Sequence, residues 1–507
     1  MRIALRRAIR AAGPRVLAAI GFVILAVTLR GITIADWHPL SPDEAELIAQ
    51  ARAAMLSPAP FTTWTMGTTG PFWVLFLAGL GAVGFPLTLA FAHLLAATLV
   101  GLSGYVFFEL ARRHLGWKQG LVVSLLWWLP FVLIYPLGGR VDFGALNTEL
   151  LPCLLVLVAA LFPAARLAER PWLFALVGVL CALAVGSKYQ ILPVAGALLV
   201  VQLLALRLPL RRCIVPVLWW ALGFAVPFLI VVAMVLSASN VSEVLVQQTF
   251  GFLGSYAGGL DLRTRIVNSA ILLASQKYIW GAILIVARLF WISDTRVRIQ
   301  RVLLIAAGLA AVIAGGMGFG HYLIILYAAF ALATALPVKP GAELLPWPAV
   351  RRFAVPVLAV LTVAVIIVLA VAGRLRLATP AETLATLSSD SVTRTAELSA
   401  LCPPGSDVMV WGWSPEFYSD YDWRNSVPFM SSIALTANPA NKESGEPLVW
   451  AGLRNSDCVI DAVGAPFFGS DPSITVVYPE AADVLESDYR LVPGVLDCDS
   501  CGVWVRR

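Results

Sequence analysis

The chain has 507 residues, 59% hydrophobic and 13% charged, with a net charge of +6 and a mean hydropathy of +0.84. A soluble domain carries roughly 25% charged residues, so this composition excludes an ordinary soluble enzyme and points to a polytopic membrane protein. The Lys and Arg residues are dispersed between apolar runs, where they act as topology signals, and this argues against a nucleic-acid partner.

Arg2, Arg6, Arg7, Arg10 and Arg15 precede an apolar run over residues 16–34. The run exceeds a signal-peptide core and no Ala-x-Ala pattern follows, so it reads as an uncleaved first transmembrane helix with a cytoplasmic N-terminus. With about 20 apolar residues per crossing, further spans are expected near 87–111, 119–137, 150–166, 171–187, 190–206, 214–237, 267–290, 302–318, 322–338 and 353–373. Clusters such as Arg112–Arg113, Arg207 with Arg211–Arg212, and Arg351–Arg352 all fall on the side a cytoplasmic N-terminus predicts. The expected fold is mostly α: a polytopic helical bundle of about eleven spans, N-terminus in and C-terminus out. Residues 1–373 form this transmembrane domain, with a first outer loop over 35–86, and residues 374–507 form a small α/β domain outside the membrane.

Within the first outer loop, Ser41-Pro42-Asp43-Glu44-Ala45-Glu46 places three carboxylates in four residues. Ser41 is a helix N-cap, Pro42 suits the first helical position, and Glu44 completes a capping box, so a helix over 42–56 is expected. Capping does not require Asp43. Glu46 and Gln50, three and seven residues on, share its face, whereas Glu44 points about 100° away. The apolar stretch ending near Phe85 is about 15 residues long, short for a crossing, and is expected to lie at the interface.

The other outer segments hold Arg140 and Asp142, then Glu149 at the head of a span, then Gly186-Ser187-Lys188-Tyr189-Gln190, and finally Gly315-Gly316-Met317-Gly318-Phe319-Gly320-His321-Tyr322. The notable polar residues near membrane depth therefore gather on one face of the bilayer. Each also has a structural reading. Lys188 can end a helix, His321 can be a satisfied core group, Arg140 can pair with Asp142, and Arg263 and Arg265 can reach lipid headgroups.

Beyond Arg374 the composition is that of a soluble domain, with a helix expected over 381–401 and strands over 407–411, 458–462, 474–478 and 489–492. Cys402, Cys458, Cys498 and Cys501 allow three disulfide pairings, and Cys498-Asp-Ser-Cys501 could alternatively be a redox or zinc pair. Cys153, Cys181 and Cys213 read as packing residues of the apolar spans.

These features resemble the integral-membrane glycosyltransferases of the GT-C fold, and within them the RgtA/B/C/D-like branch related to protein mannosyltransferases and aminoarabinose transferases. The resemblance rests on Arg30 followed by Asp43-Glu44, Gly70-Pro71 with its aromatics, Gly186-Ser187-Lys188, Gly320-His321-Tyr322, and Trp411-Gly412-Trp413-Ser414-Pro415-Glu416-Phe417-Tyr418. Where many relatives carry a Lys before the Gly-Pro element, this chain has Thr68-Thr69.

The resemblance implies transfer of a sugar from a polyprenyl-phosphate donor to a glycan, lipid or protein acceptor at the outer face of a bacterial inner membrane. It assigns the catalytic base to Asp43, with Glu44 beside it. It implies substrate contacts from Arg30, Glu46, Arg140, Asp142, Glu149, Lys188, Gln190, His321 and Tyr322. No cofactor is required by the sequence, and a divalent metal beside Asp43 is left open. The competing readings are a transporter or flippase of lipid-linked glycans, and a non-catalytic membrane scaffold. The chain shows no internal repeat and no midplane polar residues of the kind transporters carry.

Overall fold

The computed structural model describes residues 2–34, 40–65, 69–133, 143–238, 260–275, 279–316, 318–339, 396–421, 423–436, 439–462, 472–496 and 501–507, with isolated positions 246, 250, 251 and 254. The expected span over 353–373 lies outside these residues. By its contacts the chain divides into two compact units. One comprises Met1–Ala35, His93–Pro227 and Leu262–Thr379; the other comprises Asp36–Ala92, Phe228–Asp261 and Pro380–Arg507.

The first unit is helical because hydrocarbon offers no partner for a backbone amide, so each apolar run must satisfy its own hydrogen bonds. Four described helices are long and apolar enough to cross a bilayer: Leu89–Leu133, Tyr189–Leu206, Arg211–Ser237 and Thr295–Gly315. The chain is a multi-pass membrane protein. The first of these four contains a break at Gly116 (φ 75°, ψ 172°), a backbone state that glycine alone adopts freely, and so serves two expected spans. Within the span expected over 267–290, the described helices are Leu262–Ser275 and Ile279–Trp291, and residues 276–278 lie outside the described residues.

Small residues set the helix spacing. A Cβ added at Gly178 would strike the Trp220 carbonyl, and one at Gly223 would strike that of Ala175, so Leu173–Val185 and Leu210–Ser237 meet backbone to backbone. Phe22 of the first helix packs edge-on against Trp128 at 5.3 Å and stacks near Phe108 at 6.1 Å.

The second unit contains the helix Pro42–Leu56, which packs on Pro71–Ala82 and on the short helix Glu416–Asp420. At 12 residues Pro71–Ala82 is shorter than a bilayer crossing requires. A five-stranded sheet follows, comprising β1 (Asp407–Trp411), β2 (Arg424–Asn425), β3 (Cys458–Asp461), β4 (Tyr489–Val492) and β5 (Gly502–Arg506). Their order is β2-β1-β3-β5-β4, with β2, β1 and β3 parallel and β5 antiparallel to both β3 and β4. The central strand β3 is buried throughout, as a strand covered on both faces should be. Its core is built from Met409, Trp411, Val449, Leu453, Val459 and Tyr489.

Residues 474–478, expected as a strand, form the helix Ile474–Val477 instead. The Ser473 hydroxyl caps it by accepting from the Thr475 amide at 3.3 Å, which overrides the β-branched composition of the run. Of the helix expected over 381–401, the described part is Ala396–Leu401. A disulfide joins Cys402 to Cys458, Cys501 is also disulfide-bonded, and Cys498 lies outside the described residues.

Candidate active site

The residues singled out above form two groups, one in each unit. In the second unit Ser41 is the N-cap of Pro42–Leu56, with an extended backbone (φ −153°, ψ 141°) and a side chain that accepts from the Asp43 amide at 3.4 Å. Glu44 is fully buried, and its Oε1 accepts the backbone amide of Leu40 at 2.5 Å. An ordinary capping box would return this carboxylate to the cap residue's own amide; here it reaches one residue further back and fastens the incoming chain. One oxygen of Glu44 is therefore committed to the backbone.

Asp43 and Glu46 are half-buried, whereas the residues between and around them from Pro42 to Ala51 are buried. Gln50 donates from Nε2 to Glu46 Oε1 at 2.8 Å, a one-turn spacing that fixes the Glu46 side chain. Asp43 and Glu44, adjacent in sequence, thus have different environments.

In the first unit Glu149 sits at the N-cap position of Leu150–Ala159, and Lys188 stands before the 3-10 turn Tyr189–Ile191. Their charged atoms, Lys188 Nζ and Glu149 Oε1, are 3.3 Å apart, with side-chain exposures of 3% and 0%. Thr148 Oγ1 donates to the other Glu149 oxygen at 3.1 Å. Lys188 Nζ also lies 5.9 Å from the centre of the Tyr322 ring. His321 is buried, stacked on Phe319 at 5.5 Å and edge-on to Tyr322 at 4.8 Å. Gly315, at the end of Thr295–Gly315, makes room for this group, since a Cβ there would overlap the Gln190 amide and the Tyr322 ring.

Gly315 is thus a packing site for the polar cluster. Gly316 ends the helix in the left-handed region (φ 66°). Asn268 Nδ2 and Arg265 Nη1 donate to the carbonyls of Gly316 and Ala314 at 3.0 and 3.1 Å. Arg265, read above as a headgroup contact, is bound to the end of a helix.

Arg30 also lies in this unit and is 1% exposed. Its Nη2 donates to the Phe143 carbonyl at 2.8 Å and its guanidinium lies 5.5 Å from the Phe131 ring centre. Its Nε and Nη1 have no hydrogen-bond partner among the described residues. A buried cation with two free donors is complementary to an anion. Arg140 and Asp142 lie outside the described residues. Among the described residues no group of three His, Cys, Asp or Glu side chains is placed to hold a metal ion. Thr148 and Phe131 were not visible in the sequence as partners; neither residue type carries a signal for such a role.

The crystal structure of ArnT from Cupriavidus metallidurans bound to undecaprenyl phosphate superposes with a TM-score of 0.55 over 97% of this chain and 98% of that one, at 15% identity. This chain has the GT-C fold. The sequence itself matches no family model and no curated protein.

Proposed function

We propose that this GT-C chain is a membrane glycosyltransferase that moves a sugar from a polyprenyl-phosphate donor to an acceptor hydroxyl at the outer face of the membrane. The observation that carries the reading is the end-to-end likeness to a structure bound to undecaprenyl phosphate. The Cys402–Cys458 disulfide supports an oxidising compartment for the C-terminal domain, because reducing cytoplasm does not maintain such bonds.

The reaction is a single displacement with inversion. Asp43 takes the proton of the acceptor hydroxyl as its oxygen bonds to the anomeric carbon. The bond from that carbon to the phosphate oxygen breaks, and the electron pair leaves with the polyprenyl phosphate. A phosphate departs without a general acid, so the chemistry calls for one carboxylate base and cationic support for the leaving group. Asp43 suits the first role because it is the half-exposed acid of the pair, whereas Glu44 is occupied by the Leu40 amide. Arg30, in the first unit, keeps two donors without a hydrogen-bond partner among the described residues, which is the chemistry that an anionic phosphate would use. Lys188 is engaged by Glu149 and lies against the Tyr322 ring, so its role in this reading is to hold that cluster in place.

Release of polyprenyl phosphate by purified protein in nanodiscs, supplied with a polyprenyl-phosphate sugar and extracted membrane acceptors, tests this reading. Turnover by the wild type and its loss in Asp43→Asn are expected. An unchanged rate in Asp43→Asn would remove Asp43 from the base role.

A further inference from the structure

The helix Pro42–Leu56, which carries Asp43 in its first turn, ends in a pocket of about 660 Å³ formed entirely within the second unit. Arg52 and Phe85 supply one wall, and Asp407, Trp423, Arg424 and Asn425 supply the other. We propose that this pocket is a saccharide-binding site that holds the acceptor glycan by its non-reacting portion.

Its size lies within the roughly 300–1,000 Å³ of small-molecule sites. Its lining is amphipathic in the manner of a sugar ring, which presents an apolar C–H face and an edge of hydroxyls that both donate and accept. Trp423 and Phe85 suit the face, while Asp407, Asn425 and the guanidinium of Arg424 suit the edge through planar, paired hydrogen bonds. A hydrocarbon tail is disfavoured, because it would desolvate these polar groups without replacing their hydrogen bonds. By contrast, the pocket of about 580 Å³ among Leu262–Ser275, Ile279–Trp291, Thr295–Gly315 and Leu323–Thr334 is lined by apolar side chains alone.

The pocket is also preorganised, which lowers the entropy lost on binding. Trp423 stacks on Tyr421 at 4.1 Å with ring planes 10° apart, and its Nε1 donates to the Cys402 carbonyl at 2.8 Å. Arg52 is held by the carbonyls of Tyr418, Tyr421 and Leu87 at 3.2, 3.5 and 2.8 Å. Asn425 Oδ1 accepts from the Val427 amide at 3.2 Å. Arg424 and Asp407 pair at 3.0 Å with both side chains accessible, so a ligand can reach either. Among the described lining residues, two arginines against one aspartate favour a neutral or acidic sugar over an amino sugar.

Arg52 is nine residues beyond Asp43, about 13 Å along the helix at 1.5 Å per residue. A glycan anchored at the pocket therefore needs more than one sugar to reach Asp43. Calling the ligand an acceptor rests on the transferase reading; the binding itself does not.

Saturation-transfer NMR on the full chain in nanodiscs, with methyl glycosides of mannose, rhamnose, arabinose and galacturonic acid, tests the site. Transfer to the ring protons of at least one glycoside is expected, falling at least five-fold in Asp407→Ala and in Asn425→Ala at unchanged melting temperature. No transfer to any of the four, or equal transfer in both variants, would overturn the site. Binding lost with turnover unchanged would overturn the acceptor role. Asp43→Asn is expected to keep the NMR signal while losing turnover, so failure of the base assignment and failure of the pocket are separable.

Discussion

Lys188 and Glu149 are 39 positions apart in the chain, yet their charged atoms lie 3.3 Å apart with both side chains withdrawn from solvent. Burying two charges is costly, and their attraction offsets that cost only while both are present. Lys188→Met should therefore destabilise the protein by roughly 3–5 kcal/mol, the range for breaking a buried pair. The double variant Lys188→Met/Glu149→Met should recover much of that loss. Thermal unfolding of the detergent-solubilised chain measures both, and additive losses would show that the pair is not coupled.

Asp43 and Glu44 should separate activity from stability. Glu44→Gln gives up an ionic acceptor for the Leu40 amide, which should cost about 1–3 kcal/mol. Asp43→Asn should lower turnover by roughly 100-fold or more through loss of the base. Melting temperatures and donor turnover for the two variants provide the comparison.

Gly315 is predicted to act on the site through packing alone. Alanine there pushes against Gln190 and Tyr322, and the Tyr322 ring stands beside both Lys188 and His321. Gly315→Ala is expected to lower turnover several-fold, with a stability loss of about 1–3 kcal/mol typical of overpacking. Activity restored by a smaller partner, as in Gly315→Ala/Gln190→Ala, would identify the clash as the cause.

Asp461, at the end of β3, is buried, and that burial pushes its carboxyl up to about 6, even though the Ser473 hydroxyl donates to it at 2.5 Å. A carboxyl whose folded value lies above its unfolded one makes the native state bind the proton more tightly. The domain should thus be most stable below the unfolded value near 4 and weaken as pH rises through about 6, by on the order of 2–3 kcal/mol. Asp461→Asn should flatten this dependence. Unfolding of the full chain between pH 4.5 and 7.5 reads it directly, and an identical slope in the variant would assign it elsewhere.

The Cys402–Cys458 bond closes a loop with a sequence separation of 56. Its removal should cost about 4 kcal/mol by the loop-entropy relation. It should also loosen Trp423, whose indole is bonded to the Cys402 carbonyl. Reductant-dependent melting, compared with Cys402→Ser/Cys458→Ser, checks the first effect, and tryptophan fluorescence checks the second.

Local features were legible in the sequence where the causative groups lie within a few residues of one another. Ser41, Pro42 and Glu44 announced the start of Pro42–Leu56, and its end at Leu56 was equally plain. Strands β1, β3 and β4 followed from short apolar runs. Strand β2, only two residues long, has no pattern to read, and β5 was missed beside the cysteines. At 474–478 the β-branched run suggested a strand, but a single hydroxyl cap tipped the chain into one turn of helix.

Sequence by itself determined that this chain is a multi-span membrane protein, where its first-loop helix begins, and which of two adjacent acids that helix does not need. Those properties depend on composition, period and capping, all local along the chain. Tertiary structure alone decided that Lys188 is bound to Glu149, that Arg30 keeps two donors without a partner among the described residues, and that Gly315 is small to admit Tyr322 and Gln190. A buried charge must find its partner wherever packing places one, and chain distance does not encode that choice. Of the acidic cluster that first drew notice, the fold took up Glu44 for its own support and left Asp43 half-exposed.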